Sequence, residues 1–207
     1  MNVFVLSTGR TGTMSLERAC GHLSNYTVAH ESRCNKLGAD RLNFPDNHIE
    51  IDNRLSWFLG RLDATYGDNA IYIHMIRNSE EVAKSYGKRW NRETSIIRAY
   101  AYGILKRQEQ HIGNTHDICL DYVETVNENI VQFLKDKSKS MTFRLDNAEE
   151  DLKTFWELID GKGDYSAAQQ AFADAANTSA QSTKIQEAPF GKVVRIIKKF
   201  PAFLRNA

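Results

Sequence analysis

Short unbroken apolar runs alternate along the chain with longer stretches whose apolar residues recur at helical spacing. Val3 to Leu6 and Ala70 to Ile76 are runs of the first kind, which predicts strands buried on both faces. Tyr26 to Ala29 predicts another strand. The alternation His48-Ile49-Glu50-Ile51 predicts a further short one, with His48, Glu50 and Asp52 on one face. Asp117 to Asp121 also reads as a strand. Helical spacing marks Thr13 to Leu23 through Leu16, Ala19, Cys20 and Leu23, and Arg54 to Tyr66 through Leu55, Phe58, Leu59 and Leu62. Ser79 is placed to cap a helix, with Glu80 and Glu81 in its first turn where the macrodipole favours acids. Thr94 to His111, Val123 to Leu134, Asn147 to Ile159 and Tyr165 to Ala176 predict four more helices. His30 to Asn47 predicts an irregular polar loop or a short helix, long enough to point to function.

Strands alternating with helices imply an α/β fold of three layers: a central, mostly parallel sheet flanked by helices, with a helical C-terminal appendage. The expectation is one domain over 1–176. Residues 177–207 then form a polar linker and a basic amphipathic helix, not a second domain. In 191–205, Val193, Ile196, Ile197 and Phe200 share one helical face, while Lys192, Arg195 and Lys199 lie mainly on the other. Docking on the chain's own core is the expectation for this segment. A peripheral contact with the inner face of a membrane is the alternative.

Composition narrows the function. Apolar residues make up 42% of the 207 residues and charged residues 26%, the mixture of a globular protein. A net charge of +1 excludes attraction of nucleic acid by bulk charge, so an anion has to be held by local design. Cys20, Cys34 and Cys119 are odd in number and lack CxxC spacing, which argues against a disulfide framework and against a zinc site. No metal is expected. The apolar run at Val3 is too short for a signal peptide or a membrane span, so the expected location is cytoplasmic.

The strongest local pattern is Val3-Phe4-Val5-Leu6-Ser7-Thr8-Gly9-Arg10-Thr11-Gly12-Thr13-Met14-Ser15-Leu16, a strand that ends in a glycine loop opening a helix. Such a loop turns backbone N–H groups inward, and the helix N-terminus adds partial positive charge, so it suits an oxyanion. Gly9 and Gly12 permit positive φ and close approach. Arg10 supplies a permanent charge with forked donors, and Thr11, Thr13 and Ser15 supply hydroxyls. The pattern is not G-x-x-x-x-G-K-[ST], because Thr13 and Met14 follow the second glycine and no lysine is present.

The loop resembles the 5′-phosphosulfate loop of sulfotransferases that use 3′-phosphoadenosine 5′-phosphosulfate (PAPS), commonly (P/S)-R-(S/T)-G-(T/S)-(T/S). The match covers Gly9 to Ser15, and Met14 departs from it. The family's other hallmark is a strand ending in arginine, with a serine eight residues on, both binding the nucleotide's 3′-phosphate. Arg77 at the end of Ala70 to Ile76, followed by Ser85, has that spacing. The segment Ile118 to Val123 through Phe133-Leu134 resembles the family's later strand–helix segment weakly. The late R-K-G motif has no counterpart, which leaves Arg144 and the lysines at 135, 137 and 139 as candidates for the remaining 3′-phosphate contacts. The resemblance implies a bacterial or carbohydrate-type sulfotransferase, with PAPS as co-substrate and PAP as product.

Sulfuryl transfer needs a general base for the acceptor hydroxyl. His30-Glu31-Ser32-Arg33 follows the predicted second strand, and its carboxyl end lies beside the first loop in a parallel sheet. Several sulfotransferase branches place a glutamate base at this point, which implies Glu31 as base and His30 as the second choice. Arg10, with Lys88 or Arg89, would stabilise the departing oxygen. His48, Glu50, Asp52, Lys88 and Arg89 are candidate acceptor contacts, although Asp52 equally suits a helix cap before Arg54. Trp90 suits adenine stacking or the core, and His74 a structural role. The expected acceptor is a small molecule or a saccharide, carbohydrate or glycolipid in type. A nucleotide-dependent kinase of related topology, and a non-catalytic binding relative, remain the alternatives.

Overall fold

Five parallel strands form the central sheet of the computed structural model, which describes residues 1–175. The strands are β1 (Asn2–Ser7), β2 (Thr27–His30), β3 (His48–Ile51), β4 (Ala70–Ile76) and β5 (Ser140–Arg144), in the order β2-β3-β1-β4-β5. β1 pairs with β3 on one side (Val3 beside Ile49) and with β4 on the other (Phe4 beside Tyr72). The chain therefore leaves β1 for one edge, returns, and continues on the far side. A sheet that reverses direction at β1 opens a crevice there, outside the carboxyl ends of its strands.

Alternation along the strands divides the core in two. Phe4, Leu6 and Tyr72 face α2 (Leu59–Tyr66), α3 (Ser79–Gly87) and α5 (Thr115–Leu134). Val3, Val5, Ile49, Ile51, Ile73 and Met75 face α1 (Thr13–Cys20), α6 (Ala148–Leu158) and a last helix over 165–175. This is the three-layer α/β architecture expected. Cys20 and Cys119 are buried free thiols, and Cys34 is exposed.

Several elements differ from expectation. Asp117 to Asp121 is not a strand but part of α5, capped by the Asn114 side chain. Ile118, Cys119, Tyr122, Val123, Val126 and Ile130 are its buried residues, a helical period that a five-residue window hides. The fifth strand is instead Ser140–Arg144, an edge strand with only Phe143 fully buried, and too polar to stand out. Arg54 to Tyr66 divides into a 3₁₀ helix, Asn53–Trp57, and α2. The expected long helix over Thr94 to His111 is broken into α4 (Ile96–Ala99), a π-helical turn Tyr100–Ile104 and a 3₁₀ turn Glu109–His111. Asn78, not Ser79, caps α3, its side chain accepting from Glu81 N at 3.1 Å. Among the described residues no helix is long and apolar enough to cross a membrane. The linker and the basic segment over 191–205 lie outside the described residues.

Candidate active site

The glycine loop joins the carboxyl end of β1 to α1, at the crevice. Its conformation is held from behind. The Thr8 carbonyl accepts from Tyr86 Oη at 2.6 Å and from Tyr122 Oη at 2.9 Å, and the Ser7 carbonyl accepts from Ser56 Oγ at 3.1 Å. Burial pushes the Tyr86 phenol up to about 12 and Tyr122 well above its ordinary value, so both stay donors at neutral pH. Gly9 N donates to Ser7 Oγ at 3.1 Å. Gly9, Arg10 and Gly12 all have positive φ, at 78°, 65° and 95°. Among the described residues, the amides of Arg10, Thr11, Gly12, Thr13 and Met14 donate to no acceptor. Thr11 Oγ1 is buried without a hydrogen-bond partner. Five amides without a protein acceptor and a buried hydroxyl without a protein partner fit an oxyanion held by the loop.

The glycines are needed for reasons partly unlike those expected. A Cβ on Gly9 would lie 2.5 Å from Tyr86 Oη. One on Gly12 would lie 2.7 Å from Leu145 Cδ1 and 3.3 Å from Met75 Cε, so Gly12 meets the protein's own side chains. Ser15 is buried, and Met14 is 51% exposed on the first turn of α1.

The second phosphate element reaches the loop through α3. Arg10 Nε donates to Ser85 Oγ at 3.2 Å, and Arg89 Nη1 donates to the same oxygen at 3.2 Å and to the Ser85 carbonyl at 3.0 Å. Burial, then the charges of Arg89, Arg92 and Arg77, push the Arg10 pKa below its ordinary value. Arg77 leaves the end of β4 and pairs with Glu81 at 2.7 Å, one helical turn along. The structure thus joins Arg10, Ser85 and Arg89, while Arg77 is answered by an acid. Arg144 stands at the carboxyl end of β5, on the loop's edge of the sheet. Lys135, Lys137 and Lys139 precede the opposite end of that strand, away from the loop. Lys137 pairs with Asp63 at 2.7 Å and covers the Phe133 ring.

On the other flank, His30 ends β2, and its Nε2 lies 3.3 Å from Thr13 Oγ1 at the start of α1. Glu31 follows in a left-handed conformation, φ 51°. Glu31 Oε1 lies 2.6 Å from Arg54 Nη1, an ion pair with both side chains partly exposed. His48, Glu50 and Asp52 are buried and internally bonded. Glu50 accepts from Ser32 N at 2.7 Å, Ser32 Oγ at 2.6 Å and His48 Nε2 at 3.0 Å. Asp52 accepts from Arg54 N at 2.8 Å, as a cap, and from buried Arg41 at 2.5 Å. Burial pushes the Asp52 pKa up against the opposing Arg41 charge. These three hold the Glu31–Arg54 turn from beneath, with their polar atoms turned inward.

Arg54, Tyr86, Tyr122 and Arg92 were not singled out from sequence. Arg54 could have been found as the residue after the Asp52 cap, but the tyrosines carry no local signal. Trp90 is half-buried against the core cluster, and His74 is buried with Nε2 3.1 Å from Asn127 Oδ1.

No protein-family model matches the sequence, and no curated protein is similar to it. Among solved structures the chain is similar to the sulfotransferase domain from the curacin biosynthetic pathway, with a TM-score of 0.57 over 80% of this chain and 75% of that one. The two are 13% identical, so the likeness is one of fold: this chain is built on a sulfotransferase-type α/β fold.

Proposed function

We propose that the chain is a sulfotransferase that moves a sulfuryl group from PAPS to a hydroxyl or amine of an acceptor, of saccharide or glycolipid type. The observation that carries this reading is the loop itself: five amides without acceptors and the partnerless Thr11 hydroxyl, beside Arg10, at the crevice of a sulfotransferase-type sheet. Gly9 to Ser15 take the 5′-phosphosulfate, and Arg77 with Ser85 the 3′-phosphate. Arg77 exchanges Glu81 for phosphate on binding.

PAPS supplies an activated sulfuryl group whose bridging S–O bond breaks as a new bond forms from sulfur to the acceptor's oxygen or nitrogen. The protein's part is positioning and charge. Glu31 receives the acceptor's proton, with Arg54 fixing its carboxylate, and His30 is the second candidate for that role. Arg10 faces the charge that develops on the departing phosphate oxygen. The Ser32–Glu50–His48 bonds hold the turn that carries Glu31.

The test is transfer of labelled sulfate from PAPS to a panel of saccharide, lipid and small-molecule acceptors, together with PAP binding. The expected result is turnover and tighter binding of PAP than of 5′-AMP, with that preference lost in Arg77→Ala. Equal affinity of the unaltered chain for the two nucleotides, with no transfer to any acceptor, overturns the proposal.

A further inference from the structure

An acceptor whose hydroxyl is to reach Glu31 has to lie beside the 3₁₀ helix Asn53–Trp57, because that helix carries Arg54, the partner of Glu31. The helix has two sides. Asn53, Leu55 and Ser56 turn inward and are buried. Ser56 Oγ donates to the Ser7 carbonyl at 3.1 Å, and Asn53 Nδ2 lies 3.2 Å from where a Cβ on Gly9 would stand, so the helix is seated on the glycine loop. Arg54 and Trp57 turn outward. With three residues per turn they share one edge, about 6 Å apart along the axis.

Of the three tryptophans, Trp156 is buried and Trp90 half-buried, whereas Trp57 is 41% exposed. Exposure forfeits much of what burial of an indole would contribute to the fold. The ring is nonetheless held. It stacks on Tyr122, with 24° between the planes and centroids 6.5 Å apart, and it meets Tyr100 at 6.3 Å. Both tyrosines are pinned: Tyr122 Oη donates to the Thr8 carbonyl, Tyr100 Oη donates to Asp121 Oδ2 at 2.5 Å, and the two rings meet edge-on at 5.4 Å. The Trp57 indole N–H donates to no acceptor among the described residues. A flat apolar face therefore stands against the loop, bordered by the Arg54 guanidinium and a free donor.

We propose that Trp57 is the platform for the acceptor's ring, and that this ring is a pyranose whose flat C–H face lies on the indole while one of its hydroxyls reaches Glu31. The inference deepens the proposed function and rests on its reading of Glu31 as the base. Ring C–H groups carry slight positive charge and meet the negative face of the indole. Hydroxyls around the rim of a sugar answer the polar border, which a planar aromatic acceptor would leave unanswered. The sheet order keeps the platform apart from the nucleotide. Glu31 and the Asn53–Trp57 helix follow β2 and β3 on one side of β1, whereas Arg77 and Ser85 follow β4 on the other. A nucleotide reaching from the loop to Arg77 runs over β4 and leaves the β3 side to the acceptor.

The test is saturation-transfer NMR on the full chain saturated with PAP. The probes are the methyl β-glycosides of glucose, galactose and N-acetylglucosamine, with open-chain glucitol and 4-nitrophenol as controls. At least one glycoside should bind, with transfer greatest at the hydrogens of one ring face, and glucitol should show none. Trp57→Ala should weaken that glycoside about tenfold, the scale of one aromatic contact, and Trp57→Phe only about threefold, with PAP affinity within about twofold in both. No glycoside binding in a chain that prefers PAP to 5′-AMP, or binding that Trp57→Ala leaves unchanged, overturns the inference and leaves the sulfotransferase reading standing. A PAP affinity that falls in Trp57→Ala and returns in Trp57→Phe overturns it too, since the ring then serves the nucleotide. Binding of 4-nitrophenol through Trp57 in place of every glycoside overturns it in favour of a planar aromatic acceptor. Trp57-dependent glycoside binding in a chain that does not distinguish PAP from 5′-AMP keeps the platform and removes the sulfotransferase reading.

Discussion

The two hydroxyls on the Thr8 carbonyl allow a direct test of whether the loop is preformed. Tyr86→Phe leaves the carbonyl its 2.9 Å bond from Tyr122, and Tyr122→Phe leaves the 2.6 Å bond from Tyr86. The rings keep their edge-on packing at 5.5 Å in either case. Each single change should cost about 1 kcal/mol, the usual net worth of one hydrogen bond. The double change leaves a buried carbonyl with no donor and adds a desolvation penalty of about 1–3 kcal/mol, for a total of about 3–5 kcal/mol. The pair should therefore exceed the sum of its parts by at least about 1 kcal/mol in urea unfolding of the four proteins. PAP titration reads the same effect at the site. The single variants should bind within about twofold of the original, and the double variant about tenfold more weakly, because its loop must be ordered on binding. Costs that add to within about 0.5 kcal/mol, with PAP affinity unchanged, would refute the clamp.

Thr11→Ala removes a hydroxyl that has no partner in the free protein, so thermal stability should hold or rise while PAP affinity falls about five- to tenfold. Equal affinity would show that the hydroxyl does not meet the ligand. Glu31→Gln should lower turnover about 10²-fold or more, with PAP affinity unchanged. Its stability cost should stay under about 1 kcal/mol, because its ion pair with Arg54 is partly exposed. Gly12→Ala should destabilise the fold by about 1–2 kcal/mol through its φ of 95°, and Leu145→Ala in that background should relieve only the added contact. Burial holds the His74 imidazole below its ordinary pKa. As pH falls through about 6.5 the unfolded chain takes up the proton first, so stability is lost below that pH. Melting temperature should therefore fall more steeply from pH 7 to 5 in the original chain than in His74→Gln.

The sheet strands with unbroken apolar character, β1 and β4, were legible because burial on both faces writes itself into consecutive residues. β5 was not, because an edge strand with Ser140 and Thr142 half-covered carries little apolar signal. The reading of Asp117 to Asp121 failed for the opposite reason: two apolar neighbours, Ile118 and Cys119, look alike in a strand and on the inner face of a helix. Within the site, the glycine loop singled out Arg10 and the resemblance to the family's arginine–serine hallmark singled out Ser85, and the fold brings them to 3.2 Å. The clamp on the loop is remote in sequence: Tyr122 meets it from 114 residues away, so no local pattern announces it. The Arg77–Glu81 pair has the (i, i+4) spacing of neighbours on a helix, but its rotamers are set only in the fold.

Arg10, in the loop, and Glu31, on its flank, are also two of the five non-glycine residues with positive φ among the described residues. Each would be relaxed by glycine or asparagine, at about 1 kcal/mol apiece. Backbone strain therefore acts against both side chains, and on the function proposed above their chemistry is what retains them. Among descendants of this chain the two positions form a paired diagnostic. A lineage that has given up the chemistry should drift to glycine or asparagine at 10 and 31 and gain thermal stability, with Phe4, Leu6, Tyr72 and the rest of the interior untouched. Lineages still under catalytic selection should keep a cation at one and a carboxylate at the other, in spite of the backbone.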